Sequence, residues 1–224
     1  MFIISSVFIL IIYSPTIILE IPFFKISHLE INVKDAAIKQ IIKETLNKNF
    51  ANNWFLLKLN ESKFNKLLEK KSGFYIENVK IQSFNFLKGS LKLVINLNSP
   101  YFILNNRFFI SKNGRIFLYP HLNMENVPIL IDISRSWKVG QVYPKGVLKK
   151  ITLLKDLYSL NYLKNNHKIL IGKGEKYRIV FNLRTNIDRA YQVKNFLEKV
   201  EYIKHKLSLN ILGKKSFAVK IYKE

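Results

Sequence analysis

Cysteine is absent from this chain of 224 residues. Its absence excludes disulfides, thiolate metal sites and a cysteine nucleophile. Acidic residues are scarce, 15 against 37 Lys and Arg, and most of them fall where helix caps or helix faces want them. The four histidines, His28, His121, His167 and His205, lie on different elements with no i, i+3 or i+4 pairing, so a helix-borne metal site is not indicated. No serine stands in a nucleophile elbow. Gly172-Lys173-Gly174 reads as a hairpin turn rather than a phosphate cradle, because no helix starts after its second glycine. Catalysis needs positioned groups, and this inventory reads as a non-enzyme with no cofactor, no metal ion and no small-molecule substrate.

Charge is missing altogether from residues 1–19, while the rest of the chain carries a formal net charge of +22. Read as a helix, residues 2–19 reach about 27 Å at 1.5 Å per residue, close to the ~30 Å hydrocarbon core of a bilayer. The expectation is a transmembrane signal anchor over residues 1–20, with Phe2, Ile9, Ile12 and Leu19 among its spanning side chains. A cleaved signal peptide is the rival reading: Ser14 and Thr16 are small, but Pro15 separates them, no Ala-x-Ala follows, and no Lys or Arg precedes the apolar run. Long domains cross membranes largely regardless of charge, so the amino terminus is expected in the cytoplasm and the bulk of the chain outside. Pro22 breaks any helix continuing from that segment, and Phe23 and Phe24 suit a lipid interface.

The basic surplus invites a nucleic-acid partner. Lysine greatly outnumbers arginine, however, and the lysines are spread evenly among many Asn and Ile, as a compositional bias writes them on any surface. There is no helix-turn-helix spacing, zinc knuckle or RNP-like aromatic pattern, and no nucleic acid is expected. A tethered protein gripping an anionic polymer through its lysines is a lesser reading, marked by steep salt dependence.

Residues 25–33 alternate polar and apolar, with Ile26, Leu29, Ile31 and Val33 on the apolar side, and predict a strand. Asp35 is placed to cap a helix to about Asn47, with Ile38, Ile41, Ile42 and Leu46 at helical spacing. Trp54 to Leu57 is a short apolar run, and Asn60 is expected to cap a second helix carrying Phe64, Leu67 and Leu68, which Lys70-Lys71-Ser72-Gly73 ends. Strands at 75–84 and 90–97 follow, giving β-α-α-β-β with two helices on one face of a three-stranded sheet. Beyond Pro100 come a meander at 101–104, 107–111 and 115–118, a strand at 127–131 in which Pro128 suits an edge or a strand start, and a helix at 147–163. Strands at 168–171 and 177–183, a helix at 188–205, and strands at 207–212 and 216–222 complete the chain.

This order resembles the FtsQ/DivIB family of bacterial cell-division proteins. Residues 24–33, Phe24-Lys25-Ile26-Ser27-His28-Leu29-Glu30-Ile31-Asn32-Val33, look like the first strand of that family's POTRA domain. Asn53-Trp54-Phe55-Leu56-Leu57 is similar to its linker before the second helix, and residues 75–81 and 90–95 followed by Pro100 resemble its paired strands. Residues 108–117 look like its D-x-x-G-x-x-F hairpin, with Ser111 in place of the Asp, and Val127-Pro128-Ile129-Leu130 its L-P-x-L segment, with Asp132 where a Gly is usual. Leu97 stands where the family often has an acid, and the basic cytoplasmic tail is missing.

The resemblance implies an α+β fold with a single N-terminal transmembrane helix, a POTRA-like domain over 24–98 and a mixed β-rich partner-binding domain over 99–224. It implies a non-enzymatic bitopic scaffold of the division machinery, at the septum in the cytoplasmic membrane, with FtsB/FtsL-type partners. The terminal strand, Ser216, Phe217, Ala218, Val219, Lys220, Ile221 and Tyr222, agrees with this independently. An uncapped edge offers unpaired N–H and C=O groups that an added partner strand satisfies. Phe217, Val219 and Ile221 are expected to face inward and Ser216, Ala218, Lys220 and Tyr222 outward. The alternative reading is a POTRA-type export or outer-membrane assembly adaptor, although no series of ten-residue alternating spans follows to form a barrel.

Overall fold

The structure, a computed structural model, describes residues 22–119, 126–200, 206–213 and 216–222. The chain divides into two compact units between Asn98 and Ser99. Both are α+β.

The first unit begins with a 3-10 turn at Pro22–Phe24 and runs β1 (His28–Ile31), α1 (Ala36–Phe50), α2 (Trp54–Leu59), α3 (Glu61–Lys71), β2 (Ile76–Asn85) and β3 (Ser90–Leu97). Asp35 caps α1: its Oδ1 accepts from the N–H groups of Ala37 and Ile38 at 2.9 and 3.1 Å, satisfying two of the donors that a helix start leaves unpaired. The apolar run at Trp54 is itself a helix, because the Asn53 side chain accepts from Leu56 N–H at 3.1 Å. Asn60 stands at the N-cap of α3 as expected, but its side chain makes no capping bond there. Its Nδ2 donates back to Leu56 O at 3.0 Å and closes α2 instead. β3 lies at the centre of the sheet, parallel to β1 and antiparallel to β2. Its buried Leu91, Leu93 and Ile95 share the core with Ile38, Ile42 and Leu46 of α1 and Phe64 and Leu68 of α3.

The expected fold class needs one correction, the membrane helix. Among the described residues no helix is long and apolar enough to cross a membrane. The longest, α1, has 15 residues, about 22 Å at 1.5 Å each, and carries Lys39, Lys43, Glu44 and Lys48. The segment expected to span, with Phe2, Ile9, Ile12 and Leu19, lies outside the described residues.

The second unit consists of β4 (Pro100–Leu104), β5 (Phe108–Ser111), β6 (Ile116–Phe117), β7 (Ile129–Asp132), α4 (Lys145–Tyr158), β8 (Leu160–Asn166), β9 (Ile169–Gly174), β10 (Tyr177–Asn182), α5 (Asp188–Lys199), β11 (Lys206–Ile211) and β12 (Ala218–Tyr222). The strands form one mixed sheet in the order β12-β11-β10-β9-β8-β7-β4-β5-β6. Pro128 stands just ahead of β7, a strand start, and β7 is interior, parallel to both β4 and β8. Two parallel crossovers, β7-α4-β8 and β10-α5-β11, advance in the same lateral direction. The near-universal right-handedness of such crossovers therefore puts both helices on one face. Leu148, Ile151, Leu154 and Tyr158 of α4 and Ala190, Val193 and Leu197 of α5 bury there in a common core.

Helix α4 ends at Tyr158, five residues short of the expected 163. Ser159 turns left-handed at φ 51°, ψ 50°, with its N–H on Lys155 O, and β8 begins at once. Gly172 and Gly174 lie inside β9 rather than in a hairpin turn, and the turn falls on Glu175 and Lys176. Helix α5 stops at Lys199, short of the expected 205, and residues 201–205 lie outside the described set.

Candidate partner-docking edge

The register carries one row of side chains across the helix-covered face: Leu104, Leu130, Leu163, Gly172, Ile179, Leu209 and Val219 stand on successive strands from β4 to β12. All but Val219 are buried, and Val219 is partly so. Gly172 is the gap in this row because a Cβ there would stand 2.5 Å from Leu160 Cδ1. The row ends at the sheet edge, where β12 pairs antiparallel with β11 over five residue pairs, Lys206 with Tyr222 through Asn210 with Ala218. No described strand lies on the outer side of β12.

The structure gives the expected site residues distinct places. The regular strand covers Ala218–Tyr222, and Ser216 and Phe217 precede it. Phe217 and Val219 pack against the core; the Phe217 ring meets Phe196 edge-on at 5.5 Å, and the Arg189 guanidinium sits 5.5 Å from the Phe217 ring centre. Those contacts dock β12 on the unit. Ser216, Ala218, Lys220 and Tyr222 are exposed, as the alternation requires. Ile221 points inward by register yet is 40% exposed.

Across the uncovered face runs a polar row. Tyr162, Lys173, Arg178, Ser208 and Lys220 are direct neighbours on β8 to β12. The Ser208 hydroxyl and the Arg178 guanidinium beside the Tyr222 phenol hold its pKa below the ordinary 10, since polar donors and a nearby cation favour the phenolate. Lys173, Lys176, Arg178, Lys206 and Tyr222 line an open cleft of about 310 Å³ beside the edge, with Glu175 its one acid. The edge thus combines a backbone that no described strand pairs on its outer side, an exposed apolar residue at Ile221 and a basic border. It carries the elements of strand addition, in which main-chain bonds give affinity and side-chain pockets give specificity.

A second polar cluster lies inside the unit, assembled from residues far apart in the sequence around Asp132. Asp132 is 1% exposed, and its Oδ2 accepts from Tyr143 Oη and, at 2.9 Å, from Asn165 Nδ2. Its Oδ1 accepts from Ser134 N–H at 2.8 Å. Asn105 brackets the same residue, accepting from Asp132 N–H at 2.7 Å and donating to its carbonyl at 3.1 Å. Burial first, then the bonded Asp132 carboxylate, pushes the Tyr143 pKa far above its ordinary value. With Asp132, Tyr143 and Asn165 buried, the cluster ties the end of β7 to β8 and to the lead-in of α4.

Of the histidines, His28 lies exposed on β1 and His167 in the β8–β9 turn, while His121 and His205 lie outside the described residues. Among the described residues no three metal-binding side chains come together. No protein-family model matches this chain, and no curated protein matches it. The resemblance to the FtsQ/DivIB family therefore rests on element order and on the residues quoted for it.

Proposed function

We propose that this protein is a non-enzymatic scaffold of the bacterial division machinery, similar to FtsQ/DivIB, that takes a segment of an FtsB/FtsL-type partner as an added strand on β12. The observation that carries it is the position of β12: outermost in the sheet, docked by Phe217 and Val219, with Ser216, Ala218, Lys220 and Tyr222 turned to solvent. The backbone of an outer strand is a row of donors and acceptors that a second chain pairs at little conformational cost. The first unit is read as POTRA-like on its β-α-α-α-β-β order, with α2 a single short insertion, and the second as the partner-binding domain.

A fluorescent fusion of the full chain tests the setting. Concentration at the division septum is expected, and an even distribution around the cell sinks the proposal. Ala218→Pro tests the strand: it removes one backbone donor and stiffens the edge while leaving the inward Phe217 and Val219 in place. Capture of the small coiled-coil division proteins is expected to fall at least tenfold in this variant. Unchanged capture places the contact elsewhere, and co-purification with an outer-membrane barrel instead points to the export-adaptor reading.

A further inference from the structure

One end of the first unit is built of aromatic side chains from three separate segments. Phe23 and Phe24 come from the lead-in turn, Trp54 and Phe55 from the start of α2, and Phe84 and Phe86 from the end of β2 and the hairpin that follows it. Phe23 stacks on Phe86 at 4.8 Å, Phe24 on Trp54 at 6.4 Å and Trp54 on Phe84 at 5.3 Å, while Phe86 meets both Trp54 and Phe84 edge-on. Backbone bonds hold the three segments together: Ile26 N–H donates to Asn52 O at 2.7 Å and Ser27 N–H to Gly89 O at 2.8 Å. A cluster of this size is ordinarily a core. Here Phe23 is 51% exposed, and Leu87 at the hairpin tip is 95% exposed. A contiguous apolar patch left in water marks a contact surface.

We propose that this aromatic end is a contact surface for an anionic lipid bilayer, with Phe23, Phe86 and Leu87 entering the headgroup region and Lys25 and Lys88 meeting lipid phosphates. Two observations choose lipid as the occupant. The segments that present the patch, residues 22–27 and 85–89, contain Lys25 and Lys88 and no acid, and both lysines are exposed. Aromatic rings at headgroup level with basic side chains beside them are the composition of an interfacial contact. The uncharged run of residues 1–19 also precedes the patch in the chain, with only Glu20 and Ile21 between it and Pro22. The contact is with the bilayer surface and does not depend on any crossing of it.

The cysteine-free chain makes the test direct. In the full chain, Leu87→Cys carries an environment-sensitive fluorophore at the hairpin tip, and Lys70→Cys carries the same fluorophore on the last turn of α3, which leads into the start of β2 at Ile76, eight residues or about 26 Å along the strand from Phe84. Both are mixed with vesicles of phosphatidylglycerol and phosphatidylcholine. The label at 87 is expected to gain intensity several-fold, shift to the blue and be quenched by lipid-borne nitroxides, while the label at 70 stays in its aqueous state. Two results overturn the proposal: vesicle binding with the label at 87 still aqueous, or a label at 87 already shielded before vesicles are added, which would make residues 1–21 the occupant. Septal targeting and partner capture are read separately, so failure here leaves the edge-strand proposal standing.

Discussion

The hydroxyl of Tyr143 donates to the carboxylate of Asp132 with both side chains sealed from solvent. A buried carboxylate is tolerable only while its hydrogen bonds are complete. Tyr143→Phe removes one donor and leaves the charge in place. It is expected to destabilise the second unit by about 1.5–3 kcal/mol, the worth of a hydrogen bond to a charged group. The denaturant midpoint, followed by the fluorescence of Trp137 stacked 4.7 Å from that ring, should fall with an unchanged slope. A change below about 0.5 kcal/mol would show that Ser134 and Asn165 suffice.

Alkaline titration separates the tyrosines by environment. The pKa of Tyr222 is lowered by the neighbouring Ser208 and Arg178, whereas burial first raises those of both Tyr143 and Tyr158. Absorbance of the phenolate should therefore rise in steps, Tyr222 first, with the two buried hydroxyls silent until the fold opens. A raised folded-state pKa means that the unfolded chain loses its proton first, so stability is fully present below pH 10 and declines as pH climbs above it. Coincident, single-step ionisation of all the tyrosines before unfolding would refute the assignment.

The two glycines of β9 are expected to differ. Gly172→Ala meets the flexible end of Leu160 and should cost about 1–2 kcal/mol, with Leu160→Val relieving much of it. Gly174→Ala drives its methyl into the carbonyl oxygen of Ser159, which cannot move without unmaking the left-handed turn, so it should cost more than Gly172→Ala. Ser159→Gly, by contrast, should gain roughly 0.5–1 kcal/mol, because glycine adopts positive φ without strain. Thermal midpoints of the three variants check the ranking.

Those residues also show where the sequence was legible and where it misled. Strand β3 and helix α1 announce themselves through clean alternation and an Asp cap, because each buries one face. The end of α4 does not. Leu160 and Leu163 continue the helical spacing of Ile151, Leu154 and Leu157, so periodicity alone runs the helix on, and the stop is a single left-handed serine that no local rule favours. Gly172-Lys173-Gly174 looked like a turn because glycine's commonest use is conformational. Here its use is steric, room for Leu160 and for the Ser159 carbonyl, and that depends on a neighbour strand. The outer face of β12 was readable by alternation, but the 40% exposure of the inward Ile221 was not. The aromatic end was half visible, as Phe23 and Phe24, since its other rings arrive from residues 30 to 60 positions away.

Lys173 and Arg178 face each other directly across β9 and β10 on the uncovered face. Like charges in that position repel. Lys173→Glu turns the repulsion into an attraction and should raise stability by about 0.5 kcal/mol at low salt, the gain shrinking as salt is added. A salt-independent change of the same size would mean that packing, not charge, is responsible.

The ladder between β11 and β12 gives the docking edge a direction in its response to force. A partner strand that pulls along the axis of β12 loads all five residue pairs at once, and they must shear together. The same partner pulling away from the sheet, in its plane, opens the pairs one after another from an end, like a zipper, at a far smaller load. A bound segment hauled lengthwise by moving envelope machinery would thus hold, while one peeled sideways would let go, so the strand addition proposed here makes a joint that is strong in tension and easy to dismantle.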